Sequence, residues 1–482
     1  MKKLTAIILA ILILLPAAGC KKAPADNVVS IETPVPHATS VPAGMTEPPY
    51  EDTAEPTALP ETEPPASGAP TAAPTAVPTE VPTEEPFVPA SVEEAIARYE
   101  AYPLEYETVD RDKEQPNRPI TEPRYKQGSD GVYRSSESSD GQDAVIMLTG
   151  DLMCQTRQQE AGKTPMGYSF DGSFDYVRRI LKKADLVVGN LEATLSESAP
   201  YMAELIEVET RPHLNAPATF LEAIRGAGFD LVVMSNNHNV DTGVRGIYDT
   251  LDRVDEYKLM HTGLFRNSEE CRYIVVEVNG IKVGFMSYAT YFNTKEAHLT
   301  PEGVRILLNP YSKEVVERDV AAVKAAGAEY VIVYIHWGTE YVNEPDPIQV
   351  EWAQELADAG VDYIIGSHPH ALQPYDQITA SDGRTVPVVY SMGNFLSHQK
   401  KVVTKDTLIL RIRLARNSKG KVVLKDEGYI PCRVFLTFDG RDYAIVPVVS
   451  PYNNGMYSSY FAPAYERITG IMGEKIRVLG TP

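Results

Sequence analysis

The chain has 482 residues, 43% of them hydrophobic and 9% aromatic, with a formal net charge of −21. Apolar material for one large core or two excludes a chain disordered throughout and a fibrous fold, and the acidity disfavours nonspecific binding to nucleic acid or an anionic lipid surface. Residues 91–482 alone carry 41 basic against 55 acidic side chains, so a polyanionic ligand would need a local cation to bring it in, and a bound metal is one candidate.

Met1-Lys2-Lys3, an almost entirely apolar run from Leu4 to Leu15, and Pro16-Ala17-Ala18-Gly19-Cys20 make the pattern of a secretory signal, too short for a comfortable membrane span. The small residues before Cys20 resemble the bacterial lipoprotein signal, in which that cysteine is lipidated and becomes the first mature residue, although Ala17 stands where Leu is usual. The alternatives are an ordinary cleaved signal and an uncleaved N-terminal anchor. All three put the body outside the cytoplasm, and the lipid or the signal segment would anchor it to the bacterial cell membrane. Residues 21–90 hold 16 of the 37 prolines; they read as a disordered tether that could reach roughly 200 Å at about 3.1 Å per residue.

Ser91 and the spacing after it predict a short helix, and residues 105–142 read as a polar linker, so the main domain is expected over 143–400. From there the chain alternates. Short β-branched runs (Ala144–Leu148, Leu186–Val188, Leu231–Met234, Tyr330–Ile335, Tyr363–Ile365, Val386–Tyr390) are separated by amphipathic stretches such as Phe174–Lys183, Ala218–Arg225, Gly246–Tyr257, Lys313–Ala325 and Pro347–Ala357. This predicts an α/β fold with largely buried strands. Residues 401–482 carry mostly strand signal, with runs at Leu408–Leu414, Lys421–Leu424 and Arg433–Phe438, and are expected to complete the same domain.

Each of the six core runs leads into a polar cluster: Gly150-Asp151, Gly189-Asn190-Leu191-Glu192, Ser235-Asn236-Asn237-His238, His336-Trp337-Gly338-Thr339-Glu340, Gly366-Ser367-His368-Pro369-His370 and Ser391-Met392-Gly393-Asn394. In an open α/β sheet, ligands bind beyond the carboxyl ends of the strands, so these clusters should converge on one rim. Carboxylates, carboxamides and four histidines together suit Zn²⁺, Mn²⁺ or Fe, whereas Mg²⁺ or Ca²⁺ sites are nearly all oxygen. The reading is a divalent-metal site of two ions with hydrolytic chemistry.

These motifs resemble the CapA proteins of poly-γ-glutamate capsule synthesis, whose domain is similar to the calcineurin-like metallophosphatases. The resemblance rests on the clusters above in order, with Asn215-Ala216-Pro217, Asp241 and Gly243, and Glu340-Tyr341, and it runs from about Asp143 to His398. It implies a layered α/β/β/α sandwich with the metal site at the strand ends. It also implies that Asp151 and His370 serve one ion, that Asn237, His336 and His368 serve the other, and that Glu192 bridges them. His238 would be general acid, with Asp241 as its orienting carboxylate because Asn239 stands where many phosphatases have that group. Two departures are visible: Met153 where metallophosphatases usually have a histidine, and Ser367 where CapA proteins commonly have the first of two histidines.

Asn190, Glu340 and Asn394 are candidates for contacting substrate, and Trp337 reads as packing. His37, His213, His261, His298 and His398 have no supporting constellation and read as surface residues. Function divides between a membrane-anchored capsule or envelope protein with a hydrolase-type site, a phosphoesterase unrelated to capsule, and a non-catalytic polymer-binding assembly factor. Poly-γ-glutamate and the membrane subunits of a capsule synthase are the partners the resemblance suggests, with no nucleic acid among them.

Overall fold

A strand with no polar face has nothing to offer water, and Tyr330–His336, buried at all seven positions, must lie between two layers. The computed structural model describes residues 87–480 except 105, 136–142, 206–212, 438, 439, 441 and 454–457. Cys20, His37 and nearly all of the tether lie outside the described residues. Two sheets carry the fold. In the first, the order is Tyr125–Gln127, Tyr133–Ser135, Ile274–Val278, Ile281–Ala289, Tyr330–His336, Tyr363–Ser367, Thr385–Met392 and Leu372–Thr379. In the second it is Tyr443–Pro447, Val422–Leu436, Asp406–Arg416, Ala144–Leu152, Leu186–Leu191, Leu231–Val233 and Met260–Thr262. Ile281–Ala289, Tyr330–His336, Tyr363–Ser367 and Thr385–Met392 run parallel in the first sheet, as do Ala144–Leu152, Leu186–Leu191 and Leu231–Val233 in the second, where Asp406–Arg416 joins Ala144–Leu152 antiparallel.

The sheets pack face to face, and the Tyr334 hydroxyl of one donates to the Thr149 carbonyl of the other at 3.3 Å. Helices Lys313–Ala325 and Pro347–Ala359 cover the first sheet, where Val316, Val320, Val323 and Leu356 meet Val331, Val333, Ile335 and Ile364 in one core. Thr219–Ala227 and Gly243–Glu256 bury their apolar stripes on the side of the second. The architecture is therefore an α/β/β/α sandwich. Local chemistry sets the helix ends: Ser312 Oγ accepts from the Val315 amide at 3.2 Å, and Gly228 and Gly360 stop their helices at φ 112° and 103°, a left-handed conformation that costs glycine little.

Three stretches differ from the sequence reading. The hairpin Ile274–Val278 and Ile281–Ala289 supplies a central strand pair that the six core runs left out, and its turn is Asn279-Gly280 with both φ positive, a recognised hairpin signal. The stretch Phe174–Lys183 holds only the four-residue helix Arg178–Leu181 after a 3-10 turn. The 105–142 segment is expected as a linker outside the main domain, but its described residues, 106–135, are part of the body. Its strands Tyr125–Gln127 and Tyr133–Ser135 extend the first sheet beside Ile274–Val278. Polarity misleads there because the polar side chains have buried partners: Glu114 accepts from the Thr219 amide at 3.1 Å, and Arg124 Nε donates to Asp230 Oδ1 at 2.8 Å.

Asp230 is 6% exposed, and burial raises its pKa against the pull of Arg124. Removing Arg124 leaves that buried carboxylate with the Val187 amide at 3.0 Å and without its ion-pair partner, so Arg124→Ala should lower unfolding free energy by about 3 kcal/mol at pH 7. The loss should shrink below about pH 4, where the carboxyl is protonated in folded and unfolded chains alike. Urea titrations at the two pH values check this; an equal loss at both would refute the assignment to the buried charge.

Candidate functional site

Parallel strands from both sheets end on the same rim. Asp151 closes Ala144–Leu152, Glu192 follows Leu186–Leu191, and Asn237 and His238 follow Leu231–Val233. From the first sheet come His336, at the end of Tyr330–His336, and His368 and His370 after Tyr363–Ser367. The two halves are joined where strand Asn394–Leu396 leaves the first sheet and pairs with Asp151 and Leu152. Asp151 N donates to Gly393 O at 3.1 Å, and a Cβ on Gly150 would lie only 2.0 Å from that carbonyl, so the approach requires glycine. His368 and His370 adopt φ of 94° and 55°, sparsely populated for side-chain-bearing residues, and this aims both imidazoles at the cluster.

Glu192 is the centre. It is fully buried, and neither carboxylate oxygen has a hydrogen-bond partner. Its Oε1 lies 3.8 Å from His238 Nε2, 3.9 Å from His336 Nε2 and 3.8 Å from His370 Nε2. Asp151 Oδ2 is likewise buried without a hydrogen bond, 3.4 Å from His370 Nδ1. Burial foremost, then the charge of Asp151, pushes the Glu192 carboxyl well above its usual range. Burial and the neighbouring histidines push His336 and His368 well below theirs, which leaves them neutral and able to offer a lone pair. Asn237 Oδ1 and His336 Nε2 are 2.8 Å apart, so two atoms assigned to one ion face each other directly.

Buried acceptors without hydrogen-bond donors, ringed by imidazoles, are what a cation would satisfy. Asp151, Glu192 and His336 can bring one ligand atom each within 4.8 Å of one another, and so can Glu340, His368 and His370. Glu340, expected to contact substrate, thus sits among possible ligands.

A second tier of contacts orients these groups. Asn190 Nδ2 donates to Asp151 Oδ1 at 2.9 Å, and Asn394 Oδ1 lies 2.9 Å from His370 Nδ1, so both asparagines support ligands. Ser367, the departure from the family loop, places its hydroxyl 2.9 Å from His336 Nδ1. Met153 is buried, its amide donating to Leu396 O at 2.9 Å. His238 Nδ1 lies 2.7 Å from Asp241 Oδ2, which also accepts from the Leu214 amide at 2.7 Å. Asp241 Oδ1 accepts from Lys295 at 2.9 Å. Burial opposes ionisation of Asp241, but His238, Lys295 and His213 outweigh it and hold its pKa at about 2.

Lys295 and Tyr291, whose hydroxyl contacts the His368 ring, were missed, and no motif marks either. Trp337 is fully buried and donates from Nε1 to Tyr390 O at 2.9 Å, which is a packing role. His213 is no surface residue: it is buried, its Nε2 3.2 Å from Pro200 O, beside the Leu214 amide that donates to Asp241. His261, His298 and His398 are half-buried rather than exposed.

A two-sheet sandwich with buried carboxylates, carboxamides and histidines at its strand ends defines a metallophosphatase-like protein. The sequence then places it within that class: residues 145–399 match the family described as "Bacterial capsule synthesis protein PGA_cap", and the chain belongs to that family. It is 30% identical over 279 residues to the capsule biosynthesis protein CapA of Bacillus anthracis, a match covering 57% of this chain and 64% of that protein, somewhat under two thirds of its length. To the PGA biosynthesis protein CapA of Bacillus subtilis it is 27% identical over 301 residues, covering 62% and 72%. Among solved structures, the calcineurin-like phosphoesterase YfkN from Bacillus subtilis aligns with TM-score 0.38 and 15% identity over 68% of this chain and 98% of that one.

A carboxylate without a partner is a liability when no cation is bound. Glu192→Gln should therefore raise the stability of the metal-stripped chain by about 2 kcal/mol at pH 8. The raised carboxyl pKa fixes the sign: the wild type loses stability as pH rises from the unfolded value of about 4.3 through the folded one, so the advantage of the variant grows with pH and vanishes below about pH 4. Saturating divalent metal should reverse the order. Thermal melts of both chains, with and without metal, test this.

Proposed function

We propose that this chain is an accessory protein of poly-γ-glutamate capsule or cell-envelope biosynthesis, exported and held at the membrane through Cys20 or its signal segment, with a two-ion site of hydrolase type. The observation that carries the site is Glu192, a buried carboxylate with both oxygens unpartnered and three imidazole nitrogens about it. The family carries the biological setting, since relatives named for capsule and PGA biosynthesis share the matched region. The mixed donor set favours Mn²⁺, Zn²⁺ or Fe over Mg²⁺ or Ca²⁺. Divalent ions held there would supply Lewis-acid charge to a phosphoryl or carbonyl oxygen.

The residues of the chain do the rest. Asp241 Oδ2 accepts a hydrogen bond from His238 Nδ1–H, which leaves Nε2 facing Glu192 across 3.8 Å as the atom that carries or accepts a proton at the cluster. His238 foremost and then Lys295 hold Asp241 ionised against its burial, so the His238 ring is backed by a full negative charge. His368 and His370, on one backbone turn with Pro369 between them, keep two donors in fixed relation.

A second reading has its own support. Met153 is buried away in the strand-end packing where metallophosphatases usually offer a ligand, and a site with one ligand fewer could grip the carboxylates of an acidic polymer without cleaving it. The readings separate by experiment. If the site turns over a phosphoester, His238→Ala should lower kcat on an aryl phosphate by roughly 10² to 10⁴ with metal per chain unchanged, while His368→Ala loses metal as well. No turnover by the wild type, with polymer binding that disappears on stripping the metal, would replace hydrolysis by polymer handling. Polymer binding that ignores the metal would remove the site from both.

A further inference from the structure

A cavity of about 510 Å³ opens at the amino ends of Leu186–Leu191 and Leu231–Val233, the ends opposite those that lead to Glu192 and Asn237. Its volume is in the range of roughly 300–1,000 Å³ usual for small-molecule sites. Five cationic side chains and three acidic ones line it, in a protein of net charge −21. The three acids are engaged. Asp230 is held by Arg124, Glu222 lies 3.1 Å from Arg118 Nε, and Glu122 turns to Lys126 and Lys258 outside the cavity.

Two of the cations also have acidic partners outside the lining, Arg118 with Asp171 at 2.7 Å and Arg178 with Asp175 at 3.4 Å, but not all of the cationic donors are used. Lys182 is surrounded by Arg178, Arg118 and Arg124, and burial together with these like charges lowers its pKa. Arg225 spends one terminal nitrogen on the carbonyls of Thr121 and Glu122, and Arg178 spends one on Asp171 O, but the Nε of each is buried with no hydrogen-bond partner. The hydroxyl of Tyr257, a residue only 1% exposed, is also buried without a partner. Three unsatisfied donors on the lining residues of one cavity, against one unsatisfied acceptor, Glu222 Oε1, call for an acceptor-rich guest. Phe229 and Pro119 supply an apolar wall.

We propose that this cavity binds a small, multiply charged anion through phosphate or carboxylate oxygens, at a site separate from the histidine cluster. Guanidinium groups match either oxyanion geometrically, so the chemistry is shared and the source is decided by the probe. The proposal is independent of what the histidine cluster does.

The test is calorimetric titration of the full chain, stripped of divalent ions on a chelating resin, with pyrophosphate in one arm and citrate in the other. At least one anion should bind. Lys182→Glu, at an exposed position that should not disturb folding, should weaken it at least roughly tenfold, a loss of about 1.4 kcal/mol. Tyr257→Phe removes one of the unpartnered donors and should also weaken binding while leaving the melting temperature of the free chain unchanged or higher. His368→Ala should bind like the wild type. Pyrophosphate alone would identify a phosphate ligand, citrate alone a carboxylate ligand, and both outcomes uphold the site. No heat from either at about 10 mM, unchanged affinity in Lys182→Glu, or loss of binding in His368→Ala would each overturn it.

Discussion

Everything at the strand-end cluster depends on one crossing. Strand Thr385–Met392 belongs to the first sheet, Gly393 turns with φ 64°, and Asn394–Leu396 pairs in the second sheet beside Asp151. Asp151, Glu192 and His238 come from one sheet and His336, His368 and His370 from the other, so the group of Asp151, Glu192 and His336 exists only where the two sheets meet. The crossing also delivers Asn394 to His370. A glycine at 150 and another at 393 are what the packing demands at this seam, because a side chain on either would collide with main-chain atoms of its neighbours.

The energetic character of the cluster follows from its burial. Several ionisable groups are removed from water with their partners incomplete, a state that costs stability in the absence of a cation and makes the cluster a strong acceptor of one. The arrangement behind His238 is different, since Asp241 is fully supplied by an imidazole, a backbone amide and an ammonium. One side of the rim is therefore electrostatically complete and the other open.

Much of this was legible in the chain. Core strands announce themselves as β-branched runs because both their faces are covered, and the ligands follow them because the carboxyl ends of parallel strands are where side chains converge. Asp151, Glu192, Asn237, His238, His336, His368 and His370 are brought together as the motif order implied. The failures have a common physical cause, which is a polar residue paired over long range. Arg124 and Glu114 look like solvated linker residues until Asp230 and the Thr219 amide are seen beside them. Lys295 resembles any surface lysine, yet it is 7% exposed beneath Asp241. His213 lacked a motif and was read as exposed for that reason. Ser367 looked like a lost ligand, and the structure gives it a different task, holding the far nitrogen of His336.

Strand Ala144–Leu152 lies at the middle of its sheet, yet on one side its partner is Asp406–Arg416, with Leu148 opposite Leu410. A chain that emerges amino end first must keep that backbone edge unpaired while the whole of the first sheet is made. Contacts this distant in sequence form late and slowly. The second sheet stays open until its final strands arrive, so the polypeptide remains threadable for most of its synthesis, and a truncation before Asp406 would leave an exposed sheet edge able to recruit another chain.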